Sequence, residues 1–442
     1  MSSNAPPTPA TSAPRLLDRL GLPAPLLPGF LGVLLFMIGD GVESNYLSPF
    51  LEDQGFAPGH VATTISVYGI FVAAGSWLAG TLSAMLGPRR VMPIGAVVWV
   101  VLEVLLLALA VPGRSATLVT VLYGLRGIGY PFFAFAFLVW LTKAAPAHQR
   151  GTSVGWFWFV FGAGLPTLGS LVASATIPLI GEYATFWVAV ALTTLGALSA
   201  LLGVRNLDDA GPSGTEDGSS LRELARGVTI LRDPRVSAGA FVRLVNTTPN
   251  FALFVVAPIY FTRTIGFSQD TYLLLVTCVY TANIFANLVF GIVGDRLGWR
   301  RTVTWFGCVT CAAGMLLLYY VPQAVGPNFT VTLLCWAVFG IGLAGFVPLT
   351  ALMPSMVRPG DSANALGVYS LAAGLSAFVG PAVVGFLGGT AHMGAIVWTF
   401  VALYLVAAAL SLPLRSETDP GHRSRSAAGR QAAPEPDSTP AT

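Results

Sequence analysis

Long apolar runs, broken by short polar stretches, dominate the chain. Twelve of them reach the ~20 residues that a helix needs to cross ~30 Å of hydrocarbon. The first six cover residues 29–51, 62–86, 91–111, 117–141, 151–178 and 184–204. The second six cover 237–262, 271–293, 302–321, 329–350, 362–387 and 393–414. A polar, Gly/Ser/Asp-rich linker, 205–236, separates the two sets, and a short amphipathic helix is expected around Leu221–Leu231. Residues 1–28 and 415–442 are rich in Pro, Ser and Ala and read as disordered cytoplasmic tails. The first apolar run is too long for the core of a cleaved signal. The pattern therefore predicts an all-α membrane protein, with twelve transmembrane helices in two six-helix bundles, 29–204 and 237–414.

Composition supports lipid as the solvent. The chain is 54% hydrophobic and only 10% charged, whereas soluble domains carry roughly a quarter charged residues. The net charge of +3 is small, and no nucleic-acid partner is expected. Cys278, Cys308, Cys311 and Cys335 all sit in apolar runs. Cys308 and Cys311 form a CxxC without a second pair or a nearby His, so they read as small core residues. No metal site and no cofactor are expected.

The positions of the basic residues orient the helices. With both termini in the cytoplasm, 19 of the 23 Lys and Arg residues face inside, among them Arg89, Arg90, Lys143, Arg150, Arg296, Arg300, Arg301 and Arg358. Only Arg114 and Arg263 fall outside, and Arg126 and Arg243 lie within spans. The inverted arrangement would break the positive-inside rule nearly everywhere. One Lys against 22 Arg, with abundant Ala and Gly, fits a high-GC bacterial genome. The expected location is the bacterial cytoplasmic membrane.

An internal repeat divides the chain. GTLSAMLGPRR (Gly80–Arg90) and GIVGDRLGWRR (Gly291–Arg301) stand 211 residues apart, each after the second span of its half. Gly80, Gly87, Arg89 and Arg90 recur as Gly291, Gly298, Arg300 and Arg301. Duplicated halves suggest a transporter with its site between them. The pattern G-x-x-x-D-R-x-G-x-R-R resembles the loop signature of the major facilitator superfamily, matched by Gly291, Asp295, Arg296, Gly298, Arg300 and Arg301. The first copy carries Ala84 in place of the acid. Arg126 in LRGIG is similar to that superfamily's arginine on the fourth span. FMIGDGVESNYLSPFL, GWFWFVFGAGLPTLGS, GDRLGWRRTVTWFG and AGLSAFVGPAVV resemble the polyol permeases, bacterial carriers of ribitol, arabitol and related sugar alcohols.

Ionisable residues at membrane depth are costly and mark function or a structural ion pair. Asp40, Glu43, Glu103, Arg126 and Arg243 stand there. Asp40 and Glu43 are three apart, so they share a face. Counting from the span ends places them level with Arg126. An Asp40–Arg126 pair would be mutually stabilising while dry, and its separation would free the carboxylate to take a proton. The resemblance implies the same roles for two of them: Asp40 carries the proton and Arg126 holds it ionised. Glu43 is expected to act as a second acid or as a ligand for substrate hydroxyls. His60, His148, His392 and His422 lie too shallow for a relay.

A polyol needs amides, carboxylates and a few aromatics. Arg243, Asn246 and Asn250 form one stripe on the seventh span, and Asn283 with Asn287 form another on the eighth. Tyr68, Trp156, Tyr280 and Tyr369 complete the candidate substrate contacts. Interhelical hydrogen bonds explain the asparagines equally well, and packing or an interfacial belt explains the aromatics. Gly162, Gly164, Pro166 and Gly169 suggest a kink in the fifth span.

The chain reads as a secondary transporter importing a sugar alcohol with protons, its partners being the small solute, protons and the bilayer, and working as a monomer. A carrier of a small organic anion, using Arg126 and Arg243, is the alternative. No P-loop is present, so ATP does not drive it. No nucleophile–base set supports an enzyme, and no signalling domain supports a sensor.

Overall fold

Each apolar run becomes a helix, because a buried backbone in hydrocarbon must satisfy its own hydrogen bonds. The computed structural model describes residue 22 and residues 24–44, 47–203 and 227–420. Among them, eleven helices are long and apolar enough to cross a membrane. Numbered together with the helix Leu27–Ser44, which precedes those eleven, the spans are α1 (Leu27–Ser44), α2 (Pro58–Leu86), α3 (Pro88–Ala110), α4 (Ala116–Ala144), α5 (Arg150–Ile180) and α6 (Glu182–Gly203). The second half holds α7 (Pro234–Ile265), α8 (Gln269–Leu297), α9 (Trp299–Val325), α10 (Phe329–Ser355), α11 (Pro359–Phe386) and α12 (Met393–Ser411). The run 29–51 holds α1 and a separate short helix, Leu47–Asp53. Of the linker's expected amphipathic helix, residues 221–226 lie outside the described residues, and a short turn Ile230–Arg232 precedes α7.

Buried apolar side chains fall into two large clusters, one drawn from the first half with Val347 of α10 and the other from the second half. The repeat is visible in the backbone. Gly87 and Gly298 separate the second and third helices of each half with φ of 81° and 98°, a conformation that glycine adopts without steric cost. The fourth helices break alike, α4 turning at Gly127–Ile128 and α10 at Gly345–Pro348. In α5 the anticipated irregularity is a widened stretch, Ala163–Leu168, where the helix adopts π geometry.

The halves meet closely at the end that carries the repeat loops. A Cβ on Gly80 would sit 2.3 Å from Gly367 Cα, joining α2 to α11. A Cβ on Gly291 would sit 2.6 Å from Gly151 O and 3.0 Å from Gly155 Cα, joining α8 to α5. Only glycine permits such approach of two backbones. Ala84, which replaces the acid of the first loop, is fully buried with Val139, Ala363 and Leu366. The first loop thus closes through apolar contact where the second uses a charge.

The chain beyond α12 departs from expectation. Leu414, Ser416 and Asp419 are buried, although composition marks everything from Arg415 as disordered tail. Asp419 accepts from Trp299 N at 2.8 Å and Arg300 N at 3.3 Å, Ser416 Oγ donates to Ser355 O at 3.0 Å, and Arg300 Nη1 donates to Leu412 O at 3.1 Å. These bonds fold the segment onto the N-terminus of α9, where unpaired N–H groups favour an anion. Cys308, Cys311 and Cys335 are buried thiols and Cys278 is half-buried, all free.

Candidate functional site

Three acids from two helices converge on one arginine. Arg126 lies just before the turn of α4 and is 1% exposed. Its Nη1 donates to Glu103 Oε2, on α3, at 2.7 Å. Its Nη2 lies 3.7 Å from Asp40 Oδ1 and in direct contact with Glu43 Oε1, both on α1. The three acids are buried as deeply as the arginine. Trp99 Nε1 donates to Asp40 Oδ1 at 2.7 Å. The guanidinium carbon lies 4.6 Å from the ring centres of both Trp99 and Tyr123 and 5.6 Å from that of Tyr68. Tyr68 stacks on Tyr123 at 4.7 Å and is half-buried, while the rest of the cluster is enclosed.

One guanidinium facing three carboxylates carries a formal charge of −2 when every acid is ionised. Burying charge in a dry interior is expensive unless it is paired, and ring faces help the cation more than the anions. Both terminal nitrogens of Arg126 face acids of its own half, while its Nε has no hydrogen-bond partner among the described residues. Glu103, readable from sequence only as an ion-pair candidate, is its best-aligned partner.

A second group lies where the halves touch. Arg243 on α7 is 6% exposed and has no carboxylate partner among the described residues. Its guanidinium carbon lies 4.8 Å from the Tyr369 ring centre and 5.9 Å from that of Trp158. Its Nη1 makes a long 3.3 Å bond to Thr247 Oγ1. Arg243 Nε and Asn246 Oδ1, three residues apart on one face, are buried without hydrogen-bond partners among the described residues. Trp158, from α5, packs against both cores. Its Nε1 donates to Thr350 Oγ1 at 3.2 Å, and Thr350 Oγ1 donates to the Tyr369 hydroxyl at 2.8 Å.

The other sequence candidates divide. Tyr280 donates to Asn250 Oδ1 at 2.6 Å, joining α8 to α7. Asn283 Nδ2 donates to Gly340 O at 2.7 Å, which makes it a tie between α8 and α10. Asn287 Nδ2 reaches Asn283 Oδ1 only at 3.5 Å. Trp156 packs edge-on against Phe159 beside the first core, and its near neighbour Trp158 is the residue that enters the second half. Sequence reasoning passed over Trp99, Tyr123, Trp158 and Thr350. Trp99 precedes Glu103 by four residues and Tyr123 precedes Arg126 by three, spacings that put each on the face of its ionisable partner. Trp158 gave no such signal in an aromatic-rich helix.

In the second repeat loop, Asp295 works across the interface. It accepts from Gly151 N at 2.9 Å, Thr152 N at 2.6 Å and Thr152 Oγ1 at 2.7 Å, at the N-terminus of α5. Trp299 Nε1 of its own loop adds a bond of 2.8 Å. Arg89, Arg90, Arg296 and Arg301 are exposed.

Residues 29–242 and 239–437 each match the sequence model of the Major Facilitator Superfamily. A Bacillus subtilis (strain 168) protein named alpha-ketoglutarate permease is 37% identical over 397 residues, spanning 90% of this chain and 90% of its own. The D-arabinitol transporter of Klebsiella pneumoniae is 34% identical over 416 residues, spanning 93% and 97%. A bacterial homologue of the iron transporter ferroportin, solved in an outward-facing state, superposes with a TM-score of 0.75 at 13% identity over 88% of this chain and 99% of its own. Twelve spans, duplicated loops, paired halves and relatives matched over nearly their whole length place the chain in the Major Facilitator Superfamily, as a multi-pass membrane transporter.

Proposed function

We propose that the protein imports a small polyhydroxy solute of the sugar-alcohol class by proton symport, through alternating access of its two halves. The observation that carries the proton step is the enclosed group of Asp40, Glu43 and Glu103 on Arg126. In this reading Asp40 is the proton carrier. It makes the longest of the three contacts with the guanidinium, and Trp99 holds its carboxylate in place. Glu43 and Glu103 keep Arg126 engaged when Asp40 takes the proton. Tyr68, whose ring centre lies 5.6 Å from the guanidinium carbon, is the half-buried member of the group and would be its gate in this scheme.

The solute is taken between the halves, where Arg243, Asn246, Tyr369 and Trp158 gather, with the Asn250–Tyr280 pair alongside on α7 and α8. The likeness to the D-arabinitol transporter over almost the full chain supports this solute class. Asn283 and Asn287 serve helix packing in this scheme. The basic loops face the cytoplasm, so the bacterial inner membrane holds the protein with both termini inside and with the repeat-loop end closed. The Asp295 contact stabilises that closure, and the carrier works as a monomer.

The test is substrate-driven proton uptake in cells or liposomes supplied with D-arabinitol. Asp40→Asn is expected to abolish the alkalinisation outside while leaving exchange of labelled solute across the membrane. Undiminished proton uptake in that variant removes Asp40 from the mechanism.

A further inference from the structure

We propose that Arg243 forms an anion subsite, and that the preferred solute is a hydroxylated carboxylate, an aldonate, rather than the alcohol itself. The inference rests on the carrier reading above and on the same pocket, and replaces the sugar alcohol with the polyhydroxy solute of the same carbon chain that ends in a carboxylate. It starts from a contrast between two arginines. Arg126 has three acids within reach. Arg243 is 6% exposed and has none among the described residues. A cation buried to that degree without a counter-ion costs stability, and a solute carboxylate would remove that cost on binding.

The remaining polar atoms fit such a solute. Arg243 Nε lacks an acceptor, and Asn246 Oδ1, one helical turn away on α7, lacks a donor. An aldonate presents both: a carboxylate for the guanidinium and adjacent hydroxyls that donate to the amide oxygen. The rings of Tyr369 and Trp158 lie near the guanidinium, with centres 4.8 Å and 5.9 Å from its carbon, and a solute carbon chain would pack against such apolar faces. The bond from Arg243 Nη1 to Thr247 is long, at 3.3 Å, and readily exchanged for a carboxylate oxygen.

The position also links binding to movement. Trp158 belongs to the first half and bonds Thr350 of the second, so a ligand on Arg243 lies against the residue that bridges the halves. The charges complement one another as well. Protons neutralise the acidic cluster in one half, while the solute neutralises Arg243 in the other.

The experiment measures binding of D-arabinonate, D-arabinitol and 2-oxoglutarate to the purified full-length protein at fixed salt, by titration calorimetry. D-Arabinonate and D-arabinitol differ at a single terminal carbon. A hydrogen bond to a charged group is worth roughly tenfold or more in affinity. D-Arabinonate is therefore expected to bind at least about tenfold more tightly than D-arabinitol. Arg243→Gln should bring the two within about threefold by weakening D-arabinonate alone, and Arg243→Lys, which keeps the cation, should retain part of the preference. D-Arabinonate binding no better than D-arabinitol, including no binding of either, overturns the proposal. So does Arg243→Gln weakening both alike in a protein that stays monodisperse. 2-Oxoglutarate binding as well as D-arabinonate overturns the requirement for hydroxyls. Proton coupling is read separately: uptake of the preferred solute that ignores an imposed pH gradient defeats the symport reading and leaves the affinity ratio standing.

Discussion

Asp295→Ala should open the repeat-loop end of the molecule. The carboxylate accepts three hydrogen bonds from Gly151 and Thr152 of the opposite half and one from Trp299. Hydrogen bonds to a charged group contribute about 1.5–3 kcal/mol each, and a helix N-terminus adds up to ~2 kcal/mol for a partly buried anion. The three cross-interface bonds share one carboxylate and do not add in full. We take about 2.7 kcal/mol as their joint bias, which is a factor of about 100 at 1.36 kcal/mol per tenfold. A population closed 99 to 1 at that end would become nearly even. Spin labels replacing exposed His148 and Leu297, at facing ends of α5 and α8 and on a Cys278→Ser background, read the separation directly by pulsed dipolar spectroscopy. A second, longer distance of comparable weight should appear in Asp295→Ala, and Asp295→Asn should lie between the two. Identical distributions in all three proteins would refute the reasoning, because the three short cross-interface bonds would then contribute nothing to closure.

Gly291→Val places a side chain against Gly151 O and Gly155 Cα, which are backbone atoms of another helix and cannot turn aside. Solute uptake should fall at least about tenfold in a correctly inserted protein, since a clash at that distance forces the helices apart. An unchanged rate shows that α5 and α8 need not come this close. Asp419→Ala removes the acceptor at Trp299 N and Arg300 N, a cap worth ~0.5–2 kcal/mol. Trypsin should then cut after exposed Arg415 several-fold faster, and an unaltered cleavage rate would count against the docked segment.

Helix positions were legible in the sequence because hydrocarbon admits few alternatives: a run of sufficient length must be a helix, and its polar ends mark the boundaries. The predicted run 91–111 is α3, Pro88–Ala110, and 329–350 lies within α10, Phe329–Ser355. Helix rotation was less legible. Asp40 and Arg126 could be matched by depth and polarity, since buried charges must find partners. Glu103 could be seen as buried and charged, yet nothing in its own neighbourhood says that it faces α4. Trp156 and Trp158 are two residues apart and so point roughly 200° from each other on a helix of 3.6 residues per turn. With Phe157, Phe159 and Phe161 around them, no apolar stripe fixes which one faces the partner half. The tail failed for another reason. Its composition is polar, but Asp419 finds the N–H groups at the start of α9, a long-range partner that local composition does not encode.

The two buried arginines show why residue type alone underdetermines a transport site. Both sit against aromatic rings in the membrane region, and both could be drawn as anion ligands from sequence. What separates them is the count of neighbouring acids: three around Arg126, and none among the described residues around Arg243. The first arrangement has excess negative charge, which a proton offsets in the proposed mechanism. The second has excess positive charge, which an anion offsets in the proposed subsite. A dry interior penalises either excess by far more than water does, so each half has its own electrostatic reason to take a different ligand. Arg243→Gln removes only the second excess, and Asp40→Asn reduces only the first. Solute selectivity and proton coupling should therefore fail separately when the two halves are altered one at a time.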